Sequence, residues 1–198
     1  MTILETKDIK YLDDIVSIHI SAFKGFFLTE LGSGFLKTLY KGYMNDDNSG
    51  VIIALESDKI LGFIAYSKDY SKFYKNLIKK SIIQFAFYSM IAAIKHPSFI
   101  GRLFGAFGKS EEVAKAEKYV ELASIGVNPI NKGNGVGTKL IDYLKEQIDF
   151  EEYEYISLET DAEDNDRVNR FYIKNGFKLF REYSTKQGRK MKEYHYGE

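Results

Sequence analysis

The chain has 198 residues, one domain's worth, with 28 basic and 28 acidic side chains and a formal net charge of zero. That balance argues against a nucleic-acid binder, which carries a basic excess. There is no cysteine, so disulfides, thiolate metal sites and a cysteine nucleophile are excluded, and the three histidines, His19, His96 and His195, stand too far apart to make a metal-ligand motif. The opening MTILETKDIKYLDD lacks the basic-then-apolar order of a signal peptide, so the expected location is cytoplasmic.

In chain order, Leu12, Ile15, Val16, His19 and Phe23 share a helical stripe, and Phe35, Leu36, Leu39, Tyr40 and Tyr43 form a second one after Gly34. Val51–Leu55 and Ile60–Tyr66 are short apolar runs joined by Glu56-Ser-Asp-Lys59, which predicts a hairpin. From Asp69 to Lys109 the chain is basic, with Lys72, Lys75, Lys79, Lys80, Lys95, Arg102 and Lys109 against Asp69 alone. Tyr70–Lys95 reads as one or two helices. Its apolar run, Ser81–Ile94, is shorter than the ~20 residues of a spanning helix. Pro97, Gly101, Gly105 and Gly108 then break the pattern, and the stretch to Lys109 reads as a short helix or loop. On a helix the run Ser81–Ile94 is apolar nearly all round, so it should pack on the domain and on a second surface. A second copy of the chain is expected there, giving a homodimer through the insertion, ahead of a membrane surface.

Beyond the insertion, Tyr119–Val127 is β-like, Thr138–Ile148 is an amphipathic helix and Tyr155–Leu158 is a strand. Asp166–Lys174 is a short helix that Gly176 can cap. Phe177–Tyr183 and Lys190–Tyr196 pair as a closing hairpin around Lys186-Gln187-Gly188. The pattern is one mixed α/β domain over residues 1–198, with a helical insertion at 69–109.

The stretch from Val127 to Thr138 carries the chemistry. A strand ends, Lys132-Gly133-Asn134-Gly135-Val136-Gly137 follows, and a helix opens at once. Alternate glycines let main-chain N–H groups approach a ligand, and the helix start adds partial positive charge, so the place suits a pyrophosphate. A plain strand-to-helix turn is the other reading. Downstream stands Asn165-Asp-Arg-Val168-Asn-Arg-Phe171-Tyr172-Ile-Lys-Asn-Gly176-Phe177. The two stretches together resemble the GNAT family of acetyl-coenzyme A-dependent N-acetyltransferases. The first is similar to its Gln/Arg-x-x-Gly-x-Gly/Ala loop at Lys132, Gly135 and Gly137. The second is similar to its Asn-x-x-Ala-x-x-x-Tyr-x-x-x-Gly-Phe signature at Asn165, Val168, Tyr172, Gly176 and Phe177. Lys132 replaces the usual Gln or Arg, and Val168 replaces the usual Ala.

The resemblance implies a mixed central sheet flanked by helices, with the helical insertion between its third and fourth strands. It implies acetyl-coenzyme A as co-substrate, no metal, and direct transfer to a primary amine of a small acceptor. The Gly-Phe-Phe-Leu-Thr segment, Gly25–Thr29, together with a basic helical insertion resembles members tied to bacterial glycan assembly, so an amino sugar is favoured. In this reading Lys132, Gly133, Asn134, Gly135, Val136, Gly137 and Thr138 bind the pyrophosphate. Ile125, Gly126 and Val127 line the pantetheine arm, with the Val127 N–H as donor to the thioester carbonyl. Asn165 binds the arm as well as capping its helix, and Tyr172 both contacts the cofactor and acts as general acid. Lys174 could meet the 3′-phosphate. Glu121 is the candidate base, and a regular strand would put it on one face with Ala123, Ile125 and Val127. His19 is expected as a hydrogen-bonded core histidine that could still border the acceptor site. A non-catalytic acyl-coenzyme A sensor or partner-binding module on the same fold stays open.

Overall fold

The computed structural model describes residues 1–95, 117–185 and 188–197. The part of the insertion holding His96, Pro97, Gly101, Arg102, Gly105, Gly108 and Lys109 lies outside them, as do Lys186 and Gln187 of the last turn.

Seven strands form one sheet in the order β1-β2-β3-β4-β5-β7-β6. They are β1 (Thr2–Thr6), β2 (Ser49–Glu56), β3 (Lys59–Ser67), β4 (Tyr119–Val127), β5 (Tyr155–Asp161), β6 (Lys178–Ser184) and β7 (Lys190–Tyr196). All neighbours are antiparallel except β4 and β5. The β2–β3 turn is tight, with Ser57 and Asp58 at positive φ, as two-residue hairpins require. The edge strand β1 has no counterpart in the apolar pattern, because only Thr6 of its five residues is buried.

On one side of the sheet lie α1 (Leu12–Ala22), the short α2 (Phe27–Glu30), α3 (Ser33–Asn45) and α4 (Tyr70–Lys95). Leu12, Ile15, Leu36, Tyr40 and Phe85 pack there on Val51, Ile53, Phe63 and Ala65. On the other side α5 (Val136–Glu146) and α6 (Asp166–Lys174) pack Leu140, Ile141, Leu144 and Tyr172 on Ile52, Ile64, Leu122 and Ile156. The alternation along each strand feeds both cores, which is why the central strands read as unbroken apolar runs.

The insertion's α4 spans 26 residues in two helical segments that meet at a kink at Ser81 (φ −122°, ψ 17°). It lies close along α3, because a side chain at Gly34 would run into Tyr88 and one at Gly42 into Leu77. By length and composition Tyr70–Ile94 is enough to cross a membrane. The kink at Ser81 divides that length, and the segment from Ser81 on stays shorter than the ~20 residues of a spanning helix. The helix is fixed lengthwise to the domain through buried Phe73, Leu77, Phe85 and Ala92. Its other side carries exposed Ile82, Ile83, Phe87, Met90, Ile91 and Ile94.

Candidate active site

Between β4 and β5 the sheet opens. Their ladder holds only Tyr119↔Tyr155, Val120↔Ile156 and Glu121↔Ser157, although β4 runs on to Val127. From Leu122 onward β4 has no strand partner on that side among the described residues. The Asn128 N–H donates to the Leu61 carbonyl of the β3 side at 2.8 Å. Successive N–H groups alternate along a strand, so the Val127 N–H faces the opening.

A bulge in β4 changes which residues share a face. Tyr66 pairs with Leu122 but Ala65 with Ser124, so one residue is extra. Ala123 packs in the α1/α3 core, whereas Ile125 and Val127 pack in the α5/α6 core. The expected single face of Glu121, Ala123, Ile125 and Val127 is therefore wrong: the bulge turns the last two to the other side. It also turns Ser124 toward the α1/α3 side, opposite Ala65. A bulge leaves no trace in an apolar pattern, so Ser124 was not legible.

At the far end of β4, a 3-10 turn at Pro129–Asn131 leads into the glycine loop. Gly133 (φ 93°) and Gly135 (φ 75°) adopt conformations that side chains rarely take, and a Cβ at either would meet nothing within 4 Å. The space in front of the loop is open, as a close main-chain approach to a phosphate requires. Lys139 N–H to Gly135 carbonyl is the first helical bond of α5. The N–H groups of Val136, Gly137 and Thr138 have no hydrogen-bond partner among the described residues, and they carry the positive end of the helix dipole. Lys132, Gly133, Asn134 and Gly135 are exposed, while the Val136 side chain is buried and only its main chain is offered. Gly137 serves packing: a Cβ there would lie 3.0 Å from the Phe171 ring. That contact sets the start of α5 against α6.

Helix α6 follows β5. Asn165 occupies its N-cap position without a side-chain capping bond. Its amide instead donates to Thr160 Oγ1 at 2.8 Å and to the Asp161 carbonyl at 3.2 Å, which corrects the expected capping role. Asn169 ties α6 to the same carbonyl and accepts from the Tyr194 hydroxyl at 2.9 Å. At the other end, Phe177 N–H donates to the Tyr172 carbonyl and Gly176 N–H to the Ile173 carbonyl, with Gly176 at φ 82°. This is a Schellman cap, and it sets the Phe177 ring 5.9 Å from that of Tyr172. Tyr172 is buried, and burial pushes its phenol well above the usual range. It stays protonated at neutral pH, the state a general acid needs. Lys174 is exposed at the helix end.

Glu121 stands where the strands part, half-buried on the α1/α3 side. Its charge is felt by the phenols of Tyr43, Tyr70 and Tyr119, all raised first by burial. Across the mouth, Phe23 and Phe26 meet edge-on at 5.7 Å, and the Arg189 guanidinium lies 5.6 Å over the Phe26 ring. Arg189 is also paired with the Asp161 carboxylate at the end of β5, with Nη2 to Oδ2 at 2.6 Å. Phe26 belongs to the Gly25–Thr29 segment singled out in the sequence, whereas Phe27 packs against the α1/α3 core; the arginine that reaches Phe26 from the last hairpin was not legible. No group of metal-ligating side chains occurs among the described residues.

The family model described as "Acetyltransferase (GNAT) family" matches residues 12–177. The chain belongs to the GNAT family of acetyltransferases. It is an acyltransferase, and the sheet and helices just described are the GNAT fold with α4 inserted after β3. No curated protein sequence matches it. The N-acetyltransferase of Staphylococcus aureus Mu50 is similar in structure, with a TM-score of 0.67 at 15% identity over 99% of this chain and 100% of that one. An acetyltransferase of the GNAT family from Bacillus cereus ATCC 10987 superposes at 0.61, with 15% identity over 98% and 95% of the two chains. An aminoglycoside 6′-N-acetyltransferase crystallised with coenzyme A superposes at 0.63, with 15% identity over 99% and 96%.

Proposed function

We propose that this GNAT enzyme transfers an acetyl group from acetyl-coenzyme A directly to a primary amine of a small acceptor, an amino sugar being the favoured class. The observation that carries the reading is the opening between β4 and β5, with the unpaired N–H groups of α5 at one end. Gly133 and Gly135, in open space at positive φ, fit a pyrophosphate laid against the main chain. When bound, the co-substrate supplies the thioester that the amine attacks. Val127 N–H polarises the thioester carbonyl, and Ile125, Gly126 and the Asn165 amide oxygen line the arm. Holding both reactants together supplies most of the rate, with no covalent enzyme intermediate. As the amine nitrogen bonds to the carbonyl carbon and the carbon–sulfur bond breaks, Glu121 takes the amine proton through water. Tyr172 gives its proton to the leaving sulfur.

An aminoglycoside acetyltransferase of the same fold supports a small polar amine as acceptor. An acceptor screen that follows free thiol release tests the reading. Coenzyme A binding with no acceptor-dependent release across the screen would replace it with the sensor.

The partner reading extends to the chain itself. Ile83, Phe87, Met90 and Ile94 follow one another at helical spacing on the outer face of α4 and are 80, 53, 57 and 75% exposed, with no charge between them. With Ile82 and Ile91 they expose on the order of 600 Å² of apolar surface. Two copies would bury about twice that, within the range of a standard interface. An antiparallel pairing of the two α4 helices keeps Lys72, Lys75, Lys79 and Lys80 of each copy at opposite ends.

A further inference from the structure

A line of polar groups crosses the apolar core behind β4. Tyr40, fully buried on α3, places its phenol 2.6 Å from Nδ1 of His19 on α1. Burial raises this phenol, and the Ser124 side chain acts on it in the opposite direction. Ser124 is half-buried, on the sheet face that carries Glu121, in the stretch of β4 that has left β5. His19 ends the line. It is 3% exposed, and its Nε2 has no hydrogen-bond partner among the described residues.

Folding does not account for this line. The inner face of α1 is otherwise Leu12, Ile15, Val16 and Ile18, and the His19 ring lies 4.6 Å from that of Phe23. A leucine or phenylalanine would fill position 19 without leaving a buried nitrogen unsatisfied. What the line does hold is the direction of one hydroxyl.

We propose that Ser124 accepts a hydrogen bond from the acceptor amine, and that Tyr40 and His19 are positioning residues that keep its lone pairs turned toward that amine. The proposal rests on the acetyl-transfer reading above. A neutral imidazole has one N–H and one bare nitrogen. Burial pushes His19 down to about 4, so it is neutral at working pH. With Nδ1 bare, Tyr40 donates to it, and Ser124 donates to the Tyr40 oxygen. Ser124 then has only lone pairs left to offer, and it accepts one N–H of the amine. The nitrogen lone pair stays free to attack the thioester carbon held along the same strand. With the opposite tautomer every donor reverses. Ser124 would donate its hydrogen to the amine lone pair and block the nucleophile. The bond at Ser124 moves no proton itself: the amine proton still leaves through water to Glu121.

Two measurements test this. The first follows thiol release from acetyl-coenzyme A with hydroxylamine as the amine, after subtraction of the uncatalysed rate. Ser124→Ala and Tyr40→Phe should each lower the amine-dependent rate at least tenfold. Coenzyme A affinity by calorimetry should stay within threefold of wild type. The double variant should be no slower than the worse single one, because both remove the same bond. Losses that multiply, or single variants within twofold of wild type, would overturn the proposal while leaving acetyl transfer standing. A wild-type protein that binds coenzyme A but releases no thiol with hydroxylamine or with any amine of the acceptor screen would instead reject acetyl transfer. The second measurement does not need activity. The nitrogen-15 imidazole shifts of His19 should report a protonated Nε2 and a bare Nδ1. A protonated Nδ1 would overturn the proposal whatever the rates.

Discussion

Gly135→Glu separates binding from folding. Gly135 caps α5 at φ 75°, and a side chain there would meet nothing within 4 Å. The cost to folding is then the left-handed backbone alone, about 1–2 kcal/mol, or a few degrees in Tm for a chain of this size. The cost to binding is larger. The new carboxylate would stand in the space in front of the loop, about 5 Å from a bound pyrophosphate charge. At an effective dielectric of about 20 that repulsion is about 3 kcal/mol, roughly a hundredfold in Kd before any steric loss. Gly135→Asn is the control, since asparagine tolerates this backbone and adds no charge. Calorimetric titration with coenzyme A should show Kd raised at least a hundredfold for the glutamate variant and far less for asparagine, with both proteins folded. A glutamate variant that keeps Kd within threefold of wild type would refute the phosphate loop.

Tyr172→Phe should lower the chemical step ~10²–10⁴-fold in single-turnover thiol release, with coenzyme A affinity near wild type; a loss below tenfold removes the general-acid role. Stability should depend on His19, which is buried and pushed from its ordinary 6.5 down to about 4. The unfolded chain takes up a proton there that the folded chain refuses, so stability is complete above about pH 6.5 and falls by up to about 3 kcal/mol as pH drops to about 4. Urea titrations from pH 7 to pH 4 should show that slope and its loss in His19→Gln; an equal slope in the variant would assign it to another group. Sedimentation without detergent should give a dimer for wild type and a monomer for Phe87→Glu. A wild-type monomer across micromolar concentrations would exclude the α4 seam, and binding to anionic vesicles would then identify lipid as what covers it.

The sequence carried the elements whose pattern is local. Strands β4 and β7 fall on the predicted bounds, and the Gly176 cap follows from one residue that alone suits φ 82°. The β2–β3 hairpin was legible from the two apolar runs on either side of Glu56–Lys59, though not the positive φ of Ser57 and Asp58. What escaped depends on partners far along the chain. Strand β1 is an edge with one buried residue, so it leaves no apolar alternation. The β4 bulge is a mismatch of register with β3, and only the pairing reveals that Ile125 faces away from Glu121. Asn165 looked like a cap because asparagine caps well, but the end of β5 lies close enough to take its amide. His19 was legible as a core histidine; that Tyr40 and Ser124 stand in line with it needed the fold.

The most direct test of the account is a crystal structure with coenzyme A. It predicts the pantetheine arm in the opening between β4 and β5, the pyrophosphate on the main chain of Gly133–Thr138, and the sulfur within hydrogen-bonding reach of the Tyr172 hydroxyl. Coenzyme A bound outside that opening, or a sulfur that the Tyr172 hydroxyl cannot reach, would contradict it.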